Sequence, residues 1–531
     1  MKNPIEKLSG VPLMILLTMC NAMSMAWFGY DQGVFSGVLI SEDFIDHFPQ
    51  VKNSNISGIT SSCFSLGAFV GCILAFRYGD KFGRRKTIFV GQVLNLIGAV
   101  LQVTSFQFPQ LIIGRVINGM GMGITSSTCP VYQAECSKAS IRGKLVVVGS
   151  LSNTAAYCLA NWMNYGLYFR SGPLQWRFPL AFQLIFPIVV IPLVLCVPES
   201  PRWLLMQDRS DEALKVLSRL FGRNLPVSDP EVIAEHRSIL KTIEEERESF
   251  VPVKDVLRCR DSNQNLRRVI LSCGTQFMQQ FTGVNALGYY LPTLLTEFIG
   301  FSTEMAKLLA AINATSYLGA AFLCLLLIDV VGRRRLMMWG SLSAGSCYLV
   351  AAICMKVSET RLKRDMGIVT TSMFFLYYVC YGTSFAKVPW VYNSEINSIG
   401  WRTRGAAAAT ATNWMGGFII TQFTKTGVVH LRWKFYLMFT IFLWVFFPVV
   451  YFLYPETCNR TLEDIDLVFL QHKGLIVTDK ALTQRKRPQE FIEAEKQRIE
   501  AGERIMRESQ YDDVYELKSK NASAASHLES A

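Results

Sequence analysis

The chain has 531 residues, of which 50% are hydrophobic and only 18% charged, with a formal net charge of +12. Soluble domains usually carry about 25% charge, and nucleic-acid binding needs a basic soluble domain that is absent here. The excess of Lys and Arg reads instead as the positive bias of cytoplasmic loops in a membrane protein, and the 14 scattered Cys, without a CxxC pair, read as small hydrophobes and not as a zinc site or disulfide framework.

In chain order, twelve runs are long and apolar enough to be membrane spans: roughly 12–40, 56–76, 87–106, 109–130, 144–168, 178–197, 268–296, 305–328, 336–355, 366–392, 404–424 and 435–454. Each reaches the ~20 residues a helix needs to cross the hydrocarbon core. The short alternating segments of a β-barrel are absent. The expected class is therefore an all-α membrane protein of twelve transmembrane helices. The first run is too long for a cleavable signal peptide and contains Asp31. The loop "RYGDKFGRRK" at 77–86, the 198–267 segment and "VGRRRL" are basic, whereas 41–55 is acidic on balance, which predicts cytoplasmic termini. Two basic stretches, Lys356 to Arg364 and Lys425 to Lys434, would then lie outside, against the bias.

The chain repeats itself. "GDKFGRRK" at 79–86 is echoed by "DVVGRRRL" at 329–336. Glu135 precedes Arg142 by seven residues, as Glu395 precedes Arg402, and "PESPRWLL" at 198–205 is echoed by "PETCNRTLEDID" at 455–466. Three echoes in one order at similar offsets predict two pseudo-symmetric six-helix halves, 1–197 and 268–455. Between them, 198–267 reads as a cytoplasmic linker of short amphipathic helices, with a Ser–Asp cap signal at 210–211 and Asp229–Pro230 at a second helix start. Residues 456–531 read as a cytoplasmic tail with a surface helix over "RKRPQEFIEAEKQRIEAGERIMRE" and a disordered end.

These motifs, with "GYDQGV", "YQAECSKASIRG", "QQFTGVNALGYY" and "VPWVYNSEI", resemble in order those of the sugar porter family of the major facilitator superfamily, and more closely its fungal sugar and polyol proton symporters. The resemblance covers about 15 to 470. It implies the major facilitator fold, alternating access, a substrate site between the halves near mid-membrane, and no enzymatic activity. No Walker loop, metal cluster or triad context appears, so neither metal nor cofactor is expected.

A buried carboxylate in a span is costly, by at least ~2.5 kcal/mol, so Asp31 needs a cavity, a proton or a cation. At about 1.5 Å per residue, Asp31 and Arg115 share a level in the outer half of their spans. The resemblance agrees: proton-coupled members have an aspartate and an arginine at these places. Asp31 and Arg115 are the expected proton-coupling pair, with a static structural ion pair as the alternative.

A neutral sugar needs uncharged donors, acceptors and aromatic faces. Gln279, Gln280, Asn285, Tyr289 and Tyr290 cluster in span 7; Asn313, Trp390, Asn413 and Trp414 lie in later spans. The resemblance maps sugar contacts onto Gln279, Gln280, Asn285, Asn313 and Trp390; Asn413 joins them as a candidate, with interhelical hydrogen bonding as the alternative for each. Two departures bear on substrate identity. Ser150 stands where the family has a binding Gln, with Asn153 as a compensating candidate. Lys387 stands where the family often has Pro. Lys387 reads either as a counter-ion for an acidic substrate or, more plainly, as a lysine that snorkels or pairs locally.

Asp80, Arg84, Arg85, Glu135 and Arg142 form one charge cluster, and Asp329, Arg333, Arg334, Glu395 and Arg402 its mirror. Carboxylates and guanidinia at helix ends pair bidentately; in the family such clusters link spans on the cytoplasmic side and act as gates. The expectation is a multi-pass plasma-membrane transporter in a lipid bilayer, taking up a sugar, a hexose above all, with protons. A polyol, glycerol or acidic-sugar symporter and a transporter-like nutrient sensor are the alternatives. Asn55-Ile56-Ser57 is a glycosylation sequon beside span 2.

Overall fold

The computed structural model describes residues 8–137, 139–222, 226–358, 363–460, 462–477, 479–485 and 493. Among these, twelve spans are traced. The first half holds span 1 (Val11–Val38), span 2 (Ser54–Phe82), span 3 (Arg84–Val103), span 4 (Phe108–Glu135), span 5 (Ala139–Gly166) and span 6 (Leu174–Phe182 and Ile185–Cys196). The second holds span 7 (Asn265–Phe281 and Val284–Leu294), span 8 (Thr303–Val331), span 9 (Arg333–Ser358), span 10 (Lys363–Gly382 and Val388–Ile396), span 11 (Arg402–Leu431) and span 12 (Trp433–Leu453).

Composition sorts these spans. Spans 1, 2, 3, 6, 8, 9 and 12 are long and apolar enough to be membrane crossings on that ground alone. The other five are interrupted or more polar, with side chains such as Arg115 and Asn118 in span 4, Asn161 in span 5, five buried amides in span 7, Lys387 at the break of span 10, and Asn413 in span 11. Outward positions stay apolar, as at Leu326, which is 71% exposed. A helix surface facing lipid needs no polar group, since its backbone bonds are satisfied internally.

Close packing uses small residues at helical spacing. Gly29, Gly33 and Gly37 put one face of span 1 directly on span 5. A Cβ at Gly29 would stand 1.7 Å from the Asn153 carbonyl oxygen, and one at Gly37 would stand 2.4 Å from the Asn164 side chain. No larger residue fits there without moving a helix.

The end bearing Arg84 and Arg333 is here called the basic end. At this end the linker forms Pro201–Met206, Ser210–Phe221 and Pro230–Glu248. Asp229 caps the third, accepting from Glu231 N–H with Pro230 following, as its sequence predicts. The second helix starts one residue earlier than its cap signal predicts: Arg209 is the cap, and the Ser210 hydroxyl bonds His236 at 2.8 Å instead. The linker touches both halves. Trp203 Nε1 donates to Asp80 O at 2.7 Å, and Trp401 Nε1 donates to Val251 O at 2.9 Å. After span 12 the chain folds back: Arg268 pairs with Asp466, and Glu456 N donates to Leu482 O at 3.0 Å. The surface helix expected after Arg485, the disordered end and residues 359–362 of the Lys356–Arg364 loop lie outside the described residues, apart from Glu493.

Candidate functional site

Asp31 and Arg115 meet as their depths predict. Arg115 Nη1 donates to both Asp31 carboxylate oxygens, at 3.1 and 3.3 Å. Its other donors go to backbone carbonyls of span 2, Nε to Thr60 O at 3.2 Å and Nη2 to Ser61 O at 3.3 Å. The Phe35 ring lies 3.9 Å from the guanidinium carbon, in reach of a cation–π contact. Asp31 is 1% exposed and Arg115 fully buried. Removing either charge from this dry setting leaves the other unpaired, at a cost of about 3–5 kcal/mol.

The span 7 amides bond one another and their neighbours. Asn413 Nδ2 donates to Gln276 Oε1 at 2.7 Å and to Gln279 Oε1 at 2.6 Å, while Asn413 Oδ1 accepts from Gln280 Nε2 at 2.9 Å. Gln280 Oε1 accepts from Asn285 Nδ2 at 2.6 Å. Gln279 Nε2 donates to Phe385 O at 2.7 Å and Ala386 O at 3.3 Å, inside the break of span 10. Asn413 is thus the hub of an amide chain joining spans 7, 10 and 11. Such a chain can trade amide–amide bonds for amide–hydroxyl bonds without leaving a buried polar group unmet. Asn313 is fully buried, and both its side-chain polar atoms lack a protein partner. Trp390 is half-buried, and Trp414 packs 5.0 Å from Phe28 of the other half.

Spans 7 and 10 are both interrupted. Gly283 adopts φ 86 after Phe281–Thr282, a left-handed conformation that glycine alone takes freely. Span 10 unwinds into turns over 383–387 before Val388. Tyr157, Tyr317, Tyr378 and Tyr381 pack beside this second break, Tyr317 lying 6.0 Å from Tyr157, 5.4 Å from Tyr378 and 6.0 Å from Tyr381.

Lys387 sits in that break and corrects the plainer expectation. It neither snorkels nor pairs locally within its own half. It is 7% exposed, and its Nζ crosses to the first half, bonding Ser150 O at 2.9 Å and Thr154 Oγ1 at 3.1 Å. Among the described residues no carboxylate pairs with it. Ser150 therefore meets Lys387 through its carbonyl. Asn153 Nδ2 donates to Met25 O at 3.3 Å. Tyr290 also spans the two halves, donating to Ser61 Oγ at 3.0 Å and Ser57 O at 3.3 Å.

The two charge clusters superimpose in chemistry. Arg84 reaches Asp80 at 2.6 Å and Glu135 at 3.1 Å; Arg333 reaches Asp329 at 2.8 Å and Glu395 at 2.9 Å. Each of these Arg residues thus links three spans of its own half. Arg85 and Arg334 leave the carboxylates: Arg85 donates to Val194 O and Leu195 O, and Arg334 Nη2 to Tyr451 O at 2.6 Å. Arg402 is half-buried at the head of span 11, and the Arg142 side chain lies outside the described residues.

Sequence reasoning missed a further carboxylate in each cluster. Glu199 accepts from Arg84 N at 3.0 Å, and Glu456 from Arg333 N at 3.0 Å. The next residue completes each set, Ser200 Oγ to Glu135 and Thr457 Oγ1 to Glu395, both at 2.6 Å. The signal lies in the repeated Pro-Glu-Ser/Thr at 198–200 and 455–457. Burial raises the Glu199 carboxyl above its ordinary pKa, against the backbone N–H bonds that lower it.

Comparison with known proteins gives one pattern. Residues 17–469 match the family described as "Sugar (and other) transporter". The chain is 42% identical over 505 residues to the MFS-type transporter oryC of Aspergillus oryzae, covering 94% of this chain and 93% of that protein. It is 32% identical over 478 residues to the sugar transporter STL1 of Saccharomyces cerevisiae, covering 87% of this chain and 82% of the other. Among solved structures, the proton:xylose symporter XylE bound to 6-bromo-6-deoxy-D-glucose matches with a TM-score of 0.72 at 22% identity, over 86% of this chain and 99% of that one. At that identity the likeness concerns the fold.

Proposed function

We propose that this chain, which belongs to the sugar transporter family of the major facilitator superfamily, is a proton-coupled uptake transporter for a sugar of hexose size, working by alternating access. The observation that carries this reading is the buried Asp31–Arg115 pair. While Arg115 Nη1 holds both carboxylate oxygens at 3.1 and 3.3 Å, the Asp31 carboxylate has its counter-ion. When the spans shift and the guanidinium withdraws, a carboxylate left in so dry a place takes up a proton. Its charge state then biases which conformation is stable.

In this reading the amide chain through Gln279, Gln280, Asn285 and Asn413 receives the solute hydroxyls, with the orphaned Asn313 and Trp390 completing the pocket. The basic end faces the cytoplasm of a plasma-membrane protein, with both termini on that side. The charge clusters brace the ends of spans 2 to 4 and 8 to 10, which move as units during gating.

The purified protein in liposomes tests this. An inward acid gradient is expected to drive accumulation of labelled solute, and Asp31→Asn is expected to abolish accumulation while sparing exchange. Undiminished uphill uptake by Asp31→Asn would sink the proton-coupling role. Binding without movement by the unaltered protein would point to a sensor.

A further inference from the structure

We infer that the solute carries a carboxylate and that Lys387 is its counter-ion. The inference rests on the transport reading above and narrows the class of solute at the same site.

Three observations carry it. First, Lys387 has no counter-ion among the described residues. Asp31 and Arg115 neutralise each other, whereas Lys387, 7% exposed, has only the neutral oxygens of Ser150 and Thr154. A buried charge is retained where it is paired, and here the pairing charge is not supplied by the described residues. Second, the ammonium stands where substrates bind in transporters built from inverted repeats, at interrupted helices between the halves. Gln279, on the helix that leads into the break of span 7, donates to the carbonyls of Phe385 and Ala386, the two residues before Lys387, so span 7 is joined to the break of span 10. Lys387 also caps the helix Val388–Ile396, whose N-terminus adds to the positive potential. Third, both acceptors of Lys387 belong to span 5, in the opposite half. Rocking of the halves breaks both bonds at once, and the ammonium then needs another acceptor. A carboxylate on the solute supplies one with a full opposite charge, while the amide chain takes the hydroxyls.

The experiment is uptake into liposomes by the full-length protein under an inward acid gradient, with D-glucuronate against D-glucose and D-gluconate against D-glucitol. Each pair differs by a carboxylate in place of a hydroxymethyl or its equivalent. At least one acid is expected to be taken up tenfold or more above its neutral counterpart. Lys387→Gln is expected to cut that uptake at least tenfold, with Lys387→Arg retaining part of it. If Lys387→Gln does not fold, judged by its melting curve, the acid-to-neutral ratio of the unaltered protein decides the matter alone. A neutral solute carried as well as its acid, with the ratio unmoved by Lys387→Gln, overturns the inference and leaves the symporter reading standing. No movement of any of the four solutes under the gradient removes both.

Discussion

At the residue scale, a few side chains are held by geometry that admits no neighbour in chemical type. Gly83 and Gly332 turn the chain between spans 2 and 3 and between spans 8 and 9 at φ 89 and φ 96. A Cβ at Gly83 would stand 2.6 Å from Glu199 Oε2, and one at Gly332 would stand 2.5 Å from Glu456 Oε2. The glycine in each "GRR" turn therefore serves two ends: it takes a left-handed φ and lets a carboxylate reach the backbone N–H groups behind it. Gly83→Ala and Gly332→Ala are each expected to cost at least ~1–2 kcal/mol from the backbone alone. Both should lower the melting temperature in detergent. Gly166→Ala, at a site with nothing within 4 Å, should leave it unchanged.

At the scale of the element, the informative helices are those least like ideal membrane spans. Spans 7 and 10 break where their polar groups gather, and the freed backbone carbonyls find side-chain donors, as Gln279 shows at Phe385 and Ala386. Spans 9 and 3 begin in a cluster of matching design, so each half is braced alike at its basic end. Glu395→Gln removes the charge that accepts two bonds from Arg333, at 3.2 and 2.9 Å, and one from Thr457. The loss of charge-assisted bonds is worth about 1.5–3 kcal/mol. That shifts a two-state ratio roughly tenfold or more, so spin-label distances across the basic end should move toward the wider population. An unchanged distribution would reduce the cluster to static anchoring.

At the scale of the whole molecule, the two halves meet toward the end opposite the basic clusters. Tyr290 bonds Ser61, Ser62 Oγ donates to Gln422 Oε1 at 2.6 Å, and Thr426 Oγ1 donates to Asn55 Oδ1 at 2.7 Å. The sequon asparagine is thus engaged across the halves in this conformation. Phe28 and Phe64 against Trp414, at 5.0 and 6.0 Å, extend the seam inward. Alternating access requires this seam to part in each cycle. A disulfide between Ser62→Cys and Gln422→Cys should therefore stop uptake and release it on reduction. Continued turnover of the cross-linked protein would show that spans 2 and 11 need not separate. The native cysteines interfere little, since Cys259 is the one exposed thiol among the described residues.

Legible in the amino-acid order alone are the class, the twelve spans, the two-fold repeat and the shared depth of Asp31 and Arg115. Each of these rests on local pattern: apolar length, echoed motifs, and depth counted along a helix from its end. The amino-acid order also singles out Lys387 and the amides of span 7 as out of place in lipid. What they touch emerges from the packing of the helices. Asn413 became the hub of the amide chain, Arg85 and Arg334 turned to carbonyls, Glu199 and Glu456 filled the turns, and Lys387 crossed to Ser150 and Thr154 of the other half. The physical reason is that a buried polar group must find a partner, and which partner lies within 3 Å is set by how helices far apart in the chain cross, which no stretch of either one encodes.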